Sequence, residues 1–416
     1  MKIKAFVCYF LLLGCLSSAA ACGGDDEGAP VPPPPAPPED AGSGNMRVKT
    51  RGENLYIAAK MDGERDIVYW FKRCMFNELY TFYRVGIVRN TASEPIRDPS
   101  REPEIELNLA FSDNIGPFAV SGYGWCGANH SYKEGQKVRT AYNERFSVRA
   151  NDRPVTGDVT LLADSVTVDV VNVILDPSRP LEDGELRDPL CRETVHYRIE
   201  GRNIEVSASH LFCNTAPVTI ETYYGMQSMF ANETQTSGGA YTDWTVQSGV
   251  SQFLKGDYPE FRRFVERNAS AYQSSFLLPG GLGDHGMLGD GDIVFIGNSS
   301  AKSYHKLISR KRFENGDRIA WRGVYTWFAE PLADDAGLFC YEGAVAGRRA
   351  LFLDVRVACS RMLELPSGLD ARRFDLLDAN GDLRVEASGK SALRLSAGGP
   401  GGCVLLFGGE DGAEGE

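Results

Sequence analysis

The sequence predicts an all-β fold, a large antiparallel β-sandwich of the super-sandwich or jelly-roll type with few short helices. Three observations carry that expectation. Long segments are rich in β-branched and aromatic residues, turn signals fall between them, and no helical pattern alternates with strands in a βαβ rhythm.

The leader comes first. MKIKAFVCYFLLLGCLSSAAAC has two lysines, an apolar run from Ala5 to Leu16, and small residues leading to Cys22. That is the order of a secretory signal, with an apolar run too short to span a bilayer. The Ala19-Ala20-Ala21-Cys22 ending resembles a bacterial lipoprotein box, which implies lipidation of Cys22. Cutting at the rival Leu13-Gly14-Cys15 would truncate the apolar run, and an ordinary cleaved signal is the other alternative. Residues 23–44 follow as a Pro/Gly-rich tether, extended in polyproline II. Together, 1–22 and 23–44 imply a lipid-anchored protein of the cell envelope, at the outer membrane or cell surface.

Residues 45–409 form the β-sandwich, within which 365–409 is the segment that a small C-terminal β subdomain would occupy. Residues 410–416 are an acidic tail. Much of the formal charge of −12 sits in the tether and tail, on Asp25, Asp26, Glu27, Glu39, Asp40, Glu410, Asp411, Glu414 and Glu416. The remainder is mildly acidic and has no long lysine or arginine block, which argues against nucleic acid as a partner. A local basic groove for an acidic polysaccharide is compatible with that total.

In chain order, the strand signals are IVYWF (67–71), ELYTFYRVGIV (78–88), IELNLAF (105–111), RFSVRA (145–150) and SVTVDVVNVIL (165–175). They continue through ETVHYRI (193–199), NIEVSASHLF (203–212), VTIETYYGMQ (218–227), DIVFIG (292–297), IAWRGVYTWF (319–328) and ALFLDVRVA (350–358). Asn151-Asp152, Glu200-Gly201, Asn315-Gly316 and Asn380-Gly381 mark turns. YPEFRRFVER (258–267), with Pro259 early, reads as a short helix.

One hairpin has a definite register. A two-residue loop at Gly201-Arg202 sets Ile199 opposite Ile204, Tyr197 opposite Val206 and Val195 opposite Ala208. His196, Arg198, Glu205, Ser207 and Ser209 take the other face. Cys191 and Cys213 lie near its base, one residue out of register, so a disulfide between them needs a bulge. After removal of the leader seven cysteines remain, an odd number, in a compartment that favours pairing. In VTIETYYGMQ, alternation sends Val218, Ile220, Tyr224 and Met226 one way and Thr219, Glu221, Tyr223 and Gln227 the other. The second face is either a ligand groove or a plain solvent-facing side.

Metal and nucleotide motifs are absent: no HExxH, no phosphate loop and no dinucleotide fingerprint follows a strand. GDHGMLGDGD (283–292) and DANGD (378–382) lack the full ligand ladder of a calcium loop. No cofactor is expected, with Ca2+ in these loops as the alternative.

The chemistry-bearing stretch is WCGANHSY (125–132). If it is extended, His130 and Tyr132 share a face, with Asn129 and Ser131 on the other. Such a set donates to a carboxylate through the amide and moves a proton through imidazole or phenol. The alternative is that Cys126 pairs with another cysteine, Trp125 fills core and His130 caps a turn. A second constellation runs from His285 through Tyr304, His305, Arg310, Lys311 and Arg312 to Trp321, Tyr325 and Trp327. Those last three form an aromatic stripe, either a sugar platform or half of a sandwich core. His196 and His210 read as structural.

The block SDNIGPF…GYGWCGANHSY, with ETVHYRI and YYGMQ, resembles stretches in secreted bacterial and phage β-sandwich proteins that are carbohydrate-active in part. The Asn/His/Tyr grouping resembles the catalytic sets of polysaccharide lyases. That resemblance implies β-elimination on a uronic-acid polymer, with Asn129 and Arg322 neutralising the carboxylate and His130 or Tyr132 as base. Tyr304, with His305 beside it, would protonate the leaving oxygen. Trp125, Tyr223, Gln227, Trp321, Arg322 and Tyr325 would line the substrate. Hydrolysis has only Asp113 and Glu221 as carboxylates to offer. A non-catalytic glycan-binding lipoprotein and a structural envelope protein are the other classes.

Overall fold

The structure, a computed structural model, describes residues 43–108, 115–231, 235–237, 250–254, 263–278, 292–297 and 302–408. These residues are all strand, turn and loop, with no helix among them. The strand pairings are antiparallel, in six sheets.

At the centre lies a nine-stranded sheet. Its order is Arg153–Pro154, Ala141–Ala150, Val166–Leu175, Pro189–Glu200, Asn203–Phe212, Arg318–Phe328, Tyr272–Leu277, Arg263–Arg267 and Gln235–Ser237. The hairpin at Gly201-Arg202 has the expected register, Ile199 to Ile204, Tyr197 to Val206 and Val195 to Ala208. Two residues suffice to reverse the chain, and the alternating pattern then puts the apolar side chains inside.

Two six-stranded sheets cover the inner face of this sheet. The first runs from Thr160–Ala163 through Met46–Arg51, Asn54–Lys60, Arg65–Cys74 and Leu79–Arg89 to Ile105–Asn108. It packs Tyr69 on Trp327, Phe71 on Tyr197 and Phe82 on Tyr325, at centroid separations of 5.4–5.5 Å. The second contains Val250–Leu254, Asp292–Gly297, Lys302–Phe313, Val218–Met229, Phe118–Val120 and Gly124–Cys126. It stacks Phe313 on Phe212 at 4.2 Å and sets Phe118 edge-on to His210 at 5.1 Å.

A buried polar network fixes the middle of this core. Asn108 donates to Ser228 Oγ and Gln273 Oε1, and Trp327 Nε1 donates to Asn108 Oδ1 at 2.9 Å. Gln273 Nε2 reaches Ser228 Oγ at 2.6 Å. Because these groups satisfy one another, the network tolerates burial and penalises any slip of the strands that carry it.

On the outer face, part of the central sheet is covered by a five-stranded sheet. Val265, Phe276, Val324 and Phe328 meet Phe339, Tyr341, Phe352 and Leu406 there. The other side of that sheet shares a core with a three-stranded sheet, built from Leu351, Leu353, Leu393, Leu395 and Leu405.

Two sequence expectations change here. The segment read as a short helix at 258–267 is strand over Arg263–Arg267, paired to Tyr272–Leu277, and its first half lies outside the described residues. Pairing with the neighbouring strand overrides the weak helical signal. Cys191 and Cys213 are not bridged, and all seven described cysteines are thiols. Cys191 pairs with Phe212, so Cys213 lies one residue beyond; the first thiol is buried and the second half-exposed. Alternation along the strand thus separates them.

Candidate functional site

The WCGANHSY stretch leaves the sheet at Cys126 and turns at once. Gly127 and Ala128 both have positive φ, +79° and +46°, and His130 N donates to Gly127 O at 3.0 Å. The stretch is therefore a turn rather than an extended strand, and His130 and Tyr132 do not share a face. Ser131 is buried and Tyr132 is 62% exposed.

The turn is held from a distance. Asn77, fully buried at the tip of the hairpin between Arg65–Cys74 and Leu79–Arg89, donates to Ala128 O and His130 O, both at 2.8 Å. Its own Oδ1 accepts from Thr140 N at 3.1 Å, and Thr140 Oγ1 accepts from Gly127 N and donates to His130 O. Nothing in the sequence around CMFNEL marks Asn77 for this role. A turn asparagine is common, and its partners lie more than 50 residues away.

Three rings stack beside the turn. The imidazole of His130 lies 5.3 Å from the indole of Trp125 and 23° from parallel. Tyr224 lies 5.6 Å from the same indole at 16°. All three residues are half-buried. Lys306 is the cross-strand partner of Tyr224. Asn129 occupies the corner of the turn, half-buried.

The remaining expected ligand residues are elsewhere. Tyr223 is sealed in the core, donating to Ile115 O at 3.2 Å and accepting from Trp321 Nε1 at 2.8 Å. A register irregularity between Ile220 and Thr222 and another after Tyr223 shift the side-chain phase. Tyr223 therefore joins Val218 and Ile220 inside, and Tyr224 turns outward. Gln227 is buried, its carbonyl accepting from Tyr325 Oη at 3.0 Å. Trp321, Tyr325 and Trp327 are buried, so the aromatic stripe is sandwich core. Burial pushes the phenols of Tyr223 and Tyr325 well above the ordinary tyrosine range, and neither can move a proton near neutrality.

His305 is buried, paired across the sheet with Gly225 and Val294. Tyr304 pairs with Phe295, and its side chain lies outside the described residues, as do His285 and Asp113. Arg322 is exposed on the outer face of the central sheet, bonded to Glu205 at 2.5 Å, away from the turn. Glu221 is half-buried and 3.8 Å from Arg310. Of the described residues considered for chemistry, the fold brings Trp125, Asn129 and His130 together at the surface, with Tyr132 following in the next short hairpin, while Tyr223, Gln227, Trp321 and Tyr325 meet inside the core.

A concavity lies on the same framework. Its volume is about 580 Å³, and Phe76, Lys137, Arg139, Tyr142, Glu185 and Arg187 are among the residues that line it. Phe76 is next to Asn77, and Arg139 is next to Thr140, so the hydrogen bonds that hold the turn also place the lining. Phe76 and Tyr142 are 38% and 40% exposed. Lys137 Nζ sits 4.5 Å over the Phe76 ring, and Arg139 lies 5.9 Å from it. Arg139 is bonded to Glu78 at 2.6 Å and Arg187 to Asp183 at 3.1 Å. The partly exposed Tyr142 ring and the Phe76 ring under Lys137 can stack a sugar, and Lys137, with the carboxylate-paired Arg139 and Arg187, can attract an anionic substituent. Phe76, Lys137, Arg139 and Arg187 were not singled out in the sequence, because they come from three separate hairpins and loops.

No protein-family model matches the chain, and no curated protein matches it. Solved structures do show similarity. The GH36 α-galactosidase AgaB from Geobacillus stearothermophilus is 11% identical with a TM-score of 0.38, over 68% of this chain and 41% of that one. AgaA from the same organism is 11% identical with a TM-score of 0.34, over 69% and 41%. The Slr1438 protein from Synechocystis sp. PCC 6803 is 11% identical with a TM-score of 0.28, over 68% and 98%. The chain thus spans about two fifths of the length of those galactosidases. At such scores the likeness carries no argument about activity.

Among the described residues, no group of three His, Cys, Asp or Glu side chains is gathered as a metal site. DANGD at 378–382 ends one strand of the five-stranded sheet and turns toward the three-stranded one, with Asp382 accepting from Gly398 N at 2.9 Å. GDHGMLGDGD at 283–292 lies almost wholly outside the described residues.

Proposed function

We propose that this protein binds an acidic polysaccharide at the cell envelope, held there by a lipid on Cys22 and the proline-rich tether. The observation that carries the reading is the concavity in which Phe76, with Lys137 over its ring, and Tyr142 lie partly exposed beside Arg139 and Arg187. Apolar ring faces match the C–H faces of pyranoses, and the cations match carboxylate or sulfate groups.

The catalytic form of this reading is β-elimination on a uronic-acid polymer, with His130 or Tyr132 as base. Binding is favoured over it. His130 is engaged with Trp125, His305 is buried, and Arg322 is paired with Glu205 on another face.

Calorimetric titration with polygalacturonate, alginate and a neutral glucan tests the proposal. Binding should be confined to the acidic polymers and weaken with salt. Lys137→Ala and Tyr142→Ala should each reduce affinity about tenfold, which corresponds to about 1.4 kcal/mol. Equal affinity for the neutral glucan, or unchanged affinity in both variants, would rule the site out. Ultraviolet absorbance of unsaturated uronates in the same mixtures reads the elimination reaction separately.

A further inference from the structure

The outer face of the central sheet carries a row of side chains that the glycan reading does not use. At one level of the register, Asp169 pairs with His196, His196 with Ser207, and Ser207 with Arg322. Four adjacent strands thus present a carboxylate, an imidazole, a hydroxyl and a guanidinium side by side. His196 Nδ1 and Asp169 Oδ1 are 2.7 Å apart, and Arg149 holds the other carboxylate oxygen at 2.9 Å. With Nδ1 committed to the carboxylate, Nε2 is left as the basic nitrogen. Cross-strand partners have Cβ atoms about 5 Å apart, so Ser207 Oγ is within reach of that nitrogen by side-chain rotation. Arg322 is held by Glu205 at 2.5 Å, and Glu205 is fixed in turn by Ala346 N at 2.7 Å.

Beside the row the sheet surface dips into a concavity of about 390 Å³, lined by Arg192, Thr194, Ser209, Leu211, Arg318 and Ala320. Thr194, Ser209 and Ala320 belong to the next outward-facing level of the same strands. Small side chains there leave room for a bound group over the strands that carry His196, Ser207 and Arg322.

We infer that this row is a second site, one that hydrolyses small acyl esters with Ser207 as nucleophile. Ser207 Oγ attacks the ester carbonyl carbon and its proton passes to His196 Nε2, while Arg322 stabilises the carbonyl oxygen as it becomes negative. The bond from carbon to the alcohol oxygen breaks, the alcohol leaves with the proton from His196, and an acyl-serine remains. Water then attacks the acyl carbon, giving a proton to His196. The bond to Oγ breaks, Oγ recovers that proton, and the acid departs. Ester and water become acid and alcohol, with no other reactant. Asp169 is a positioning residue that holds the imidazole in the required tautomer. The inference concerns a different sheet face and is independent of glycan binding.

The test uses the purified full chain with a fluorophosphonate probe and p-nitrophenyl acetate. Mass spectrometry of peptides should locate the phosphonyl group on Ser207. Ser207→Ala should abolish labelling and lower ester hydrolysis at least tenfold, and His196→Ala should do the same. Ser360→Ala, an exposed serine of the three-stranded sheet, should change neither. Asp169→Asn should lower kcat with KM nearly unchanged, a split that a merely structural role would not produce. Both serine positions are at least partly open to solvent, and an unchanged circular dichroism spectrum verifies that the variants fold. No labelling, labelling at another residue, or full hydrolysis by Ser207→Ala overturns the inference.

Discussion

Asn77 and His130 separate two meanings of a polar side chain in a loop. The Asn77 amide satisfies two carbonyls and one N–H in a place closed to water. In Asn77→Ala, His130 O keeps Thr140 Oγ1 while Ala128 O and Thr140 N lose their partner, which should cost about 2–6 kcal/mol at about 1–3 kcal/mol for each buried group. His130→Ala keeps the backbone contacts and loses the ring stacking, about 0.5–1.5 kcal/mol. Urea midpoints of the two variants should fall in that order. The reverse order would show that the imidazole, rather than the amide, holds the turn.

The cysteines give a second residue-scale expectation. Burial pushes the thiols of Cys126 and Cys191 well above their ordinary range, and that of Cys403 up to about 12. Thiolate is the reactive form. Iodoacetamide at mildly alkaline pH should therefore modify half-exposed Cys213 and Cys359 first, with Cys126, Cys191 and Cys403 protected until the chain unfolds. The linkage has a definite sign. Folded thiols keep protons that unfolded ones release, so this contribution to stability is full below about pH 8.5 and declines as pH rises toward 12. A peptide map showing early labelling of Cys191 would refute the burial argument.

At the scale of elements, the strand Val218–Met229 shows what alternation alone reveals. The pattern up to Ile220 gives the inward residues correctly, but an irregularity adds a residue that period-two counting cannot detect. Tyr223 and Tyr224 consequently exchange faces, so the tyrosine expected in a groove is core and its neighbour stacks on Trp125. The hairpin at Gly201-Arg202 was legible throughout because its turn is two residues long and both strands run without a bulge. The aromatic stripe in Arg318–Phe328 was legible as a stripe, but which sheet covers it depends on chain more than 200 residues away. The concavity at Phe76 and Arg187 was illegible for the same reason. Gly116 ties the irregular strand to its neighbourhood: its φ is +92°, and an added Cβ would lie 1.8 Å from the carbonyl oxygen of Tyr224. Backbone cannot yield as a flexible side chain can. Gly116→Ala should cost more than about 2 kcal/mol. Gly323→Ala meets only the movable end of Met226 and should cost less. Thermal melts that rank these variants the other way would contradict the close approach.

At the scale of the whole molecule, the outer face of the central sheet is joined to the five-stranded sheet by apolar contact, by hydrogen bonds such as that of Ser274 with Tyr341, and by a buried ion pair. Arg263 Nη2 bonds to Asp354, with both side chains less than a tenth exposed. The guanidinium also lies 5.6 Å from the ring of Tyr341 and 5.5 Å from that of Phe352. Removing two charges from water is expensive, and their attraction in the interior roughly compensates. The pair therefore adds little net stability, although losing one member is costly. Arg263→Met leaves a buried carboxylate without its cation, and Asp354→Leu leaves a buried cation without its anion; each should cost about 3–5 kcal/mol. The double variant removes both charges and keeps apolar volume against Tyr341 and Phe352. It should recover most of that loss, so the coupling energy in a double-mutant cycle should be several kcal/mol. Equilibrium unfolding of the three variants measures it. If the double variant is as unstable as the sum of the singles, the two residues do not act as a pair, and apolar packing with the neighbouring hydrogen bonds holds the sheets together.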